Sequence, residues 1–266
     1  MKSKSIIVAV AMLALLGNAG CDLLSSEKDD TTTQVAVGLL ALSSSSAGCN
    51  SCVTNNDTAL PAWIKDNFKC MTITVEGSNY VFRTSDLPPY TNGYYNQLSG
   101  CYTNDFPSGN SPNPNTISSQ NIVLTIPSSP DTTESTTDYG AMGVAINGVA
   151  LYNSEAAPGD TLADELDTMD SGNGHPTNIG QYHYHTEPYK ITNDDSALIG
   201  IALDGYPIFG RKEVGGGTPA GLDSYNGHSH SHPTLGTTMY HYHVETTSTY
   251  YLLIGSKFKG TKGTSN

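Results

Sequence analysis

Ten residues recur with the same pattern in the second half of this chain, and that recurrence limits what the chain can fold into. Gly143-Val144-Ala145-Ile146-Asn147-Gly148-Val149-Ala150-Leu151-Tyr152 returns as Gly200-Ile201-Ala202-Leu203-Asp204-Gly205-Tyr206-Pro207-Ile208-Phe209, 57 positions later (200 minus 143). The agreement continues downstream. Asp170-Ser171-Gly172-Asn173-Gly174-His175 parallels Asp223-Ser224-Tyr225-Asn226-Gly227-His228, and His175-Pro176-Thr177 parallels His232-Pro233-Thr234 after a short insertion. Tyr182-His183-Tyr184-His185 parallels Tyr240-His241-Tyr242-His243, followed by Glu187 and Glu245. Two copies of a unit of about 55 residues are too few for a solenoid, so two β-rich halves packed about a pseudo-twofold axis are expected.

Within each copy, apolar alternation flanks Asn147-Gly148 or Asp204-Gly205, a strong hairpin signal that predicts a type I′ turn with positive φ at both central residues. Pro207 lacks an amide proton, which places its strand at an edge or a bulge. Asp160 to Met169 carries helix formers with Leu162, Leu166 and Met169 on one face, so one short helix is expected there.

All eight histidines fall between His175 and His243. Side chains alternate across a strand, so His183, His185 and Glu187 are expected on one face and Tyr182 and Tyr184 on the other; His241, His243 and Glu245 repeat the pattern. Imidazoles at i and i+2 can converge on one ion. A third ligand is expected from the Asn-Gly-His turns, His175 and His228, each after a glycine that lets the backbone bend. Three imidazoles with an open position make a catalytic type of site, and an added carboxylate widens the choice of metal to iron or manganese. Whether the halves form one composite site or two stays open. The plainer alternative is β-propensity alone, with tyrosines packed inside and histidines solvated outside. His230 and His232, which have no separate counterparts in the first copy, read as part of a flexible loop that recruits metal loosely, and not as direct ligands of the site.

Charge and composition narrow the setting. Twelve basic residues against 25 acidic ones give a net charge of -13, which excludes nucleic acid as a natural partner. Sixteen tyrosines, one tryptophan and long Thr, Ser, Asn and Gly stretches suit a secreted β protein. Lys2 and Lys4 precede an apolar run from Ile6 to Leu16, too short for a bilayer span, so residues 1–20 are expected to be an export signal. Ala19-Gly20-Cys21 resembles a bacterial lipoprotein cleavage site, which implies a lipid anchor on Cys21, a tether over residues 21–47 and a location at the cell envelope, on the periplasmic face or the cell surface. Cys49, Cys52, Cys70 and Cys101 read first as two disulfides of undetermined connectivity stapling an N-terminal lobe. A four-thiolate zinc site starting from Cys49-x-x-Cys52 is the alternative.

At its paired motifs the sequence resembles the YHYH-domain family of exported bacterial proteins. The likeness also takes in Asn113-Pro114-Asn115, Ile126-Pro127, Leu203 to Gly210, and Ile254-Gly255 with Gly260. The family brings no activity with it. It does imply a cysteine pair at positions held here by Tyr225 and Ser256, so a disulfide would be missing from the second half.

The expected fold is mostly β, β-sandwich-like or an irregular α+β. Its single domain, 48–266, comprises a Cys-containing lobe (48–138), a first repeat (139–191) and a second (197–256). The leading functional expectation is a cell-envelope metal-binding lipoprotein whose copper or zinc is held by His175, His183, His185, His228, His241 and His243. A second is a metal-dependent enzyme, a zinc hydrolase or copper oxidoreductase, using Glu187 or Glu245 as general base. A third is a surface adhesion or glycan-binding module stacking ligand on Tyr80, Tyr90, Tyr94, Tyr95 and Tyr102. Metal ion and membrane lipid are the expected partners; no protein partner follows from the sequence.

Overall fold

The computed structural model describes residue 49 and residues 51–192, 194–246 and 250–266. The expected signal segment and the whole of the expected tether lie outside them. In chain order the elements begin with β1 (Asn55–Asn56), α1 (Ala62–Lys65), β2 (Met71–Glu76), β3 (Asn79–Thr84), β4 (Ile122–Pro127) and β5 (Ser135–Thr136). The first copy holds β6 (Gly143–Ala145), β7 (Ala150–Leu151), α2 (Leu162–Leu166), β8 (Gly174–Pro176) and β9 (Tyr182–Tyr184). The second holds β10 (Leu198–Ala202), β11 (Pro207–Phe209), β12 (Gly227–His232) and β13 (Thr237–His243), before β14 (Lys257–Phe258) and β15 (Thr264–Ser265) close the chain. The fold is mostly β, as the sequence implies.

The two copies share one eight-stranded sheet of order β12-β13-β11-β10-β6-β7-β9-β8. Read from either end, the order presents equivalent strands. The halves meet at β6 and β10, where Gly143 pairs with Ala202, Val144 with Ile201 and Ala145 with Gly200. Under the 57-position offset Val144 is equivalent to Ile201, so the twofold passes through that pair and exchanges the flanking ones. The seam also needs its glycines. A Cβ on Gly200 would stand 2.4 Å from the Val144 carbonyl oxygen, and one on Gly143 would stand 2.6 Å from that of Ile201.

Both hairpins form where expected, with a different turn. Gly148 (φ +88°) and Gly205 (φ +94°) are left-handed, whereas Asn147 and Asp204 are not. The amide of Gly148 donates to Ala145 O and that of Ala145 to Val149 O, with the same pattern for Gly205, Ala202 and Tyr206. This is a three-residue loop, a type I turn closed by a left-handed glycine. The side chains explain the choice: Asn147 Oδ1 and Asp204 Oδ1 accept the amides two residues on, at 3.3 Å each. Such an Asx turn selects negative φ at its own residue. Pro207 also departs from expectation, since β11 lies inside the sheet between β10 and β13. It is tolerated because it is the first residue of its strand, paired with Ile201 on one side while pairing with β13 starts only at Ile208; the bulge side of the expectation is met one residue on, where β10 is irregular between Leu198 and Gly200 opposite Phe209 and Ile208.

A five-stranded sheet of order β1-β2-β3-β4-β15 shares the core with this sheet. Along β2 and β4, buried and partly buried residues alternate, the signature of a sheet covered on one face. Ile73, Phe82, Leu124 and Ile126 from this sheet join Val144, Ile201 and Ile208 in one apolar cluster. The first hairpin tip is fixed by polar contacts: Thr84 Oγ1 donates to Gly148 O at 2.6 Å, and Ala150 N donates to buried Asp86 at 2.8 Å. A disulfide joins Cys52 to Cys70, while Cys49 and Cys101 are free thiols. One of the two expected disulfides is therefore formed, and because it uses Cys52 and Cys70 the four-thiolate zinc site is not. No helix among the described residues is long and apolar enough to cross a membrane.

Candidate metal centres

The Tyr-His alternation does what the pleat dictates. Tyr182 and Tyr184 are fully buried on one side, where Tyr90 Oη lies 3.1 Å and 2.7 Å from their hydroxyls and Tyr182 donates to Asp170 at 2.8 Å. In the second copy Tyr240 donates to Asp223 at 2.8 Å and Tyr242 to Asp204 at 2.6 Å. The imidazoles face the other way.

The upstream histidine is brought in by the Asp-x-x-Asn-Gly-His turn. Asp170 Oδ1 accepts the amides of Gly172 and Gly174, and Asp223 Oδ1 those of Tyr225 and Gly227. The bend falls on Asn173 and Asn226, both at φ +62°, and not on the glycines expected to supply it. Gly174 and Gly227 serve a different need. A Cβ at either would stand 2.4 Å or less from the hydroxyl of Tyr182 or Tyr240, so glycine is what lets the turn close over the tyrosine. The result pairs His175 with His183 and His228 with His241 across antiparallel strands.

Two separate clusters result, one in each copy. β9 and β13 are five strand spacings apart in the sheet, roughly 24 Å. In the first cluster, His183 Nε2 lies 3.1 Å from both His175 Nε2 and His185 Nε2, and all three rings are buried. Glu165 adds Oε2 at 3.0 Å from His185 Nε2 and 3.9 Å from His175 Nε2. With metal–nitrogen bonds of about 2.05 Å, a 3.1 Å separation corresponds to an angle of about 100° at the ion, between octahedral and tetrahedral values. The second cluster gathers His228, His241, His243 and Glu213. His228 Nε2 is 3.2 Å from His243 Nε2 and 3.1 Å from Glu213 Oε1.

The hydrogen-bond network fixes which nitrogen of each ring is available. Backbone carbonyls only accept, so the rings bonded to them must donate through Nδ1–H: His183 to Gln181 O (3.2 Å), His185 to Asn153 O (2.7 Å), His228 to Ala220 O (2.9 Å), His241 to Met239 O (3.0 Å) and His243 to Gly210 O (2.8 Å). His175 Nδ1 faces Thr168 Oγ1 at 2.6 Å, and that hydroxyl spends its proton on Glu165 O at 2.7 Å. It therefore accepts from His175 as well. In the neutral rings, Nε2 is left as a lone pair pointing into the cluster.

Electrostatics keep several of these rings neutral. Burial, with a smaller contribution from His185, lowers His175 to about 4. His183 is driven well below the ordinary imidazole range by burial and then by its two neighbours. In the second copy burial takes His241 down to about 3 and lowers His243, whose bond to Gly210 O partly opposes the shift. For Glu165, burial alone would raise the carboxyl, but His185 and the Ala157 amide hold it below the usual carboxylate value. Each cluster is thus a buried set of acceptors facing one another. One proton can serve one such pair; a metal ion serves the whole set.

All six expected histidines lie in these clusters, and the expected glutamates do not. The strand ends at Tyr184, so the alternation that would carry Glu187 onto the histidine face stops; Glu187 Oε2 pairs with Arg211 Nε at 2.8 Å. Glu245 lines a different cavity, of about 710 Å³, that also touches His243. The carboxylates in place are Glu165, on α2, and Glu213, in the loop after β11. Neither has a counterpart at the repeat offset, where Leu222 stands for Glu165 and Ala156 for Glu213. The one local signal at Glu165 is the capping box of Thr161 and Asp164, which starts the helix at Leu162, three residues before it. His230 and His232 also differ from expectation: both sit on β12, not in a loop.

The two centres open differently. A cavity of about 700 Å³ reaches His175, His183, His185 and Glu165 and is walled by Tyr139 and Tyr152 among others. Tyr152 stacks on His183, ring centroids 3.9 Å apart. The second cluster borders a shallower groove of about 900 Å³ that touches Glu213, His228 and His230.

These features define a class: an internally duplicated β protein with a histidine–carboxylate cluster capable of holding a metal ion in each half. Residues 123–218 match the family described as YHYH protein, the same family that the paired Tyr-His-Tyr-His motifs resemble. That segment takes in the first cluster and Glu213 and ends before the second Tyr-His-Tyr-His strand. Searches of curated proteins and of solved structures found no match.

Proposed function

We propose that this chain is a cell-envelope metal-binding protein in which each half holds a transition-metal ion, copper or zinc. One observation carries the reading: buried Nε2 atoms and a carboxylate oxygen converge at 3.0 to 3.2 Å with no donor among them, their opposite nitrogens being tied to acceptors. Imidazole and carboxylate donors suit divalent first-row metals, and copper and zinc stand at the strong end of that series. The excess of acidic residues attracts cations in general without choosing one. Anchoring through a lipid on Cys21 is part of the proposal and rests on the leader sequence alone. Cys21→Ser should move the protein from the membrane fraction to the soluble one.

The test is elemental analysis of the full chain exported to a bacterial periplasm, compared with His183→Ala, His241→Ala and the double variant. Each single change should remove the metal of its own half, and the double change should remove both, with circular dichroism reporting that the fold is kept. Unchanged metal content in the folded double variant would overturn the assignment.

The cavity over the first cluster favours a second reading, a metal-dependent enzyme acting there. Bound zinc would lower the pKa of its water to about 7. Glu165, not Glu187, is then the carboxylate placed at the reacting position, and Glu165→Gln should abolish turnover while the three imidazoles still hold metal. The adhesin reading has less support. Tyr94 is buried, and the hydroxyls of Tyr90, Tyr94 and Tyr95 are all committed to internal partners.

A further inference from the structure

The second cluster is larger than its twin. β12 carries His228, His230 and His232 at alternate positions, so all three face the same side as His241, the cross-strand partner of His228. In the first copy the residue two places after His175 is Thr177, which has no ligand nitrogen.

His230 has the same preparation as the other ligands. Its Nδ1–H donates to Ser231 O at 2.9 Å, which leaves Nε2 as the free lone pair. That Nε2 and the Nε2 of fully buried His241 are both enclosed and lack a hydrogen-bond partner. The ring centroids of His230 and His241 are 4.7 Å apart, matching the 4.6 and 4.8 Å of the pairs in the first cluster. His232 is prepared the opposite way: its Nδ1 accepts the Thr234 amide at 3.2 Å, so Nε2 keeps the proton and the ring packs on Phe209.

Glu213 divides its oxygens between two groups. Oε1 lies 3.1 Å from His228 Nε2 and 3.6 Å from His243 Nε2, while Oε2 lies 3.3 Å from His230 Nε2. A carboxylate addressing separate imidazoles with its two oxygens is the arrangement of a bridge between two cations about 3.5 to 4 Å apart.

We infer that the second copy holds a pair of metal ions bridged by Glu213, one on His228 and His243 with Oε1, the other on His230 and His241 with Oε2. The inference rests on the proposed metal-binding function and adds a third ion per chain, taken up by only one of the two halves. His232 has no part in it.

Copper(II) loading of the full chain tests this by stoichiometry and electron paramagnetic resonance spin count after gel filtration. The wild type should carry three coppers but about one spin, because the bridged pair couples antiferromagnetically. His230→Gln alters a ring that is partly exposed and should carry two coppers and two spins. His232→Gln, where folded, should behave as wild type. Two coppers and two spins in the wild type would overturn the pair while leaving two single sites standing. Three uncoupled spins would overturn the bridge, and loss of a copper in folded His232→Gln would overturn the ligand assignment. No tightly held copper at all would instead refute the metal-binding reading beneath it.

Discussion

Thr168 offers no ligand atom to the first cluster, its hydroxyl being bonded to the far nitrogen of His175, yet the arrangement of protons makes it decisive for the first centre. Its hydroxyl accepts His175 Nδ1–H at 2.6 Å because its own proton is committed to Glu165 O. Thr168→Val keeps the shape and removes the acceptor. The His175 ring is buried, so an unpaired Nδ1–H costs about 1 to 3 kcal/mol in the metal-free protein. The ring can escape by moving the proton to Nε2, which withdraws the lone pair from the ion. Outer-shell partners of this kind are typically worth about 10- to 100-fold in metal affinity, or about 1.4 to 2.7 kcal/mol. Competition against a chromophoric zinc chelator should show the first centre weakened by that factor in Thr168→Val and restored in Thr168→Ser. The second centre, built from other residues, serves as the internal reference. Equal zinc affinity of the first centre in Thr168→Val and wild type would refute the tautomer argument.

Further expectations concern the scaffold. Burial raises Asp204 to about 6 from 3.8, against the opposing hydrogen bonds of Tyr242, Gly260 and Tyr206. The folded state therefore binds the extra proton between those values, and stability is lost as pH rises from about 4 through 6, by about 3 kcal/mol at 1.36 kcal/mol per pKa unit. Asp204→Asn should remove that fall, read as the difference in urea unfolding free energy between pH 4 and pH 7 with chelator present; parallel profiles would contradict it. Gly200→Ala drives a methyl group against the Val144 carbonyl, so its melting temperature should drop by an amount equivalent to about 1 to 3 kcal/mol. Gly217→Ala, where a Cβ meets nothing within 4 Å, is the control. Replacing Cys52 and Cys70 by serine opens a loop with a sequence separation of 18 and should cost about 3 kcal/mol in denaturant unfolding without changing metal content.

The sequence made legible whatever has a local period. Asn147-Gly148 and Asp204-Gly205 located both hairpins, the 57-residue offset implied the twofold, and His-x-His on a pleated strand implied convergence. The missing parts depend on tertiary placement. Glu165 and Glu213 lie in segments where the copies have diverged, so comparing the copies could not pair them. Glu187 leaves the histidine face because the alternation holds only as far as Tyr184, where the strand stops. The acceptors that set the ring tautomers are mainly backbone carbonyls, at Gln181, Asn153, Ala220, Met239 and Gly210, which carry no residue signature. The glycines before His175 and His228 stand out in the sequence, but their role does not: they make room for a tyrosine ring, a contact between residues eight and thirteen positions apart.

The pairing of Val144 with Ile201 has a consequence for how such a chain is put together. A lone half, severed at that line, would offer a bare ribbon edge complementary to its own rotated image, the geometry of a homodimer. Joined in tandem, each half brings its mate along, and the encounter is governed by the length of the connector and not by how many molecules are present. Such a fusion also lets the two histidine clusters diverge independently, since a substitution in one need no longer be repeated in the other.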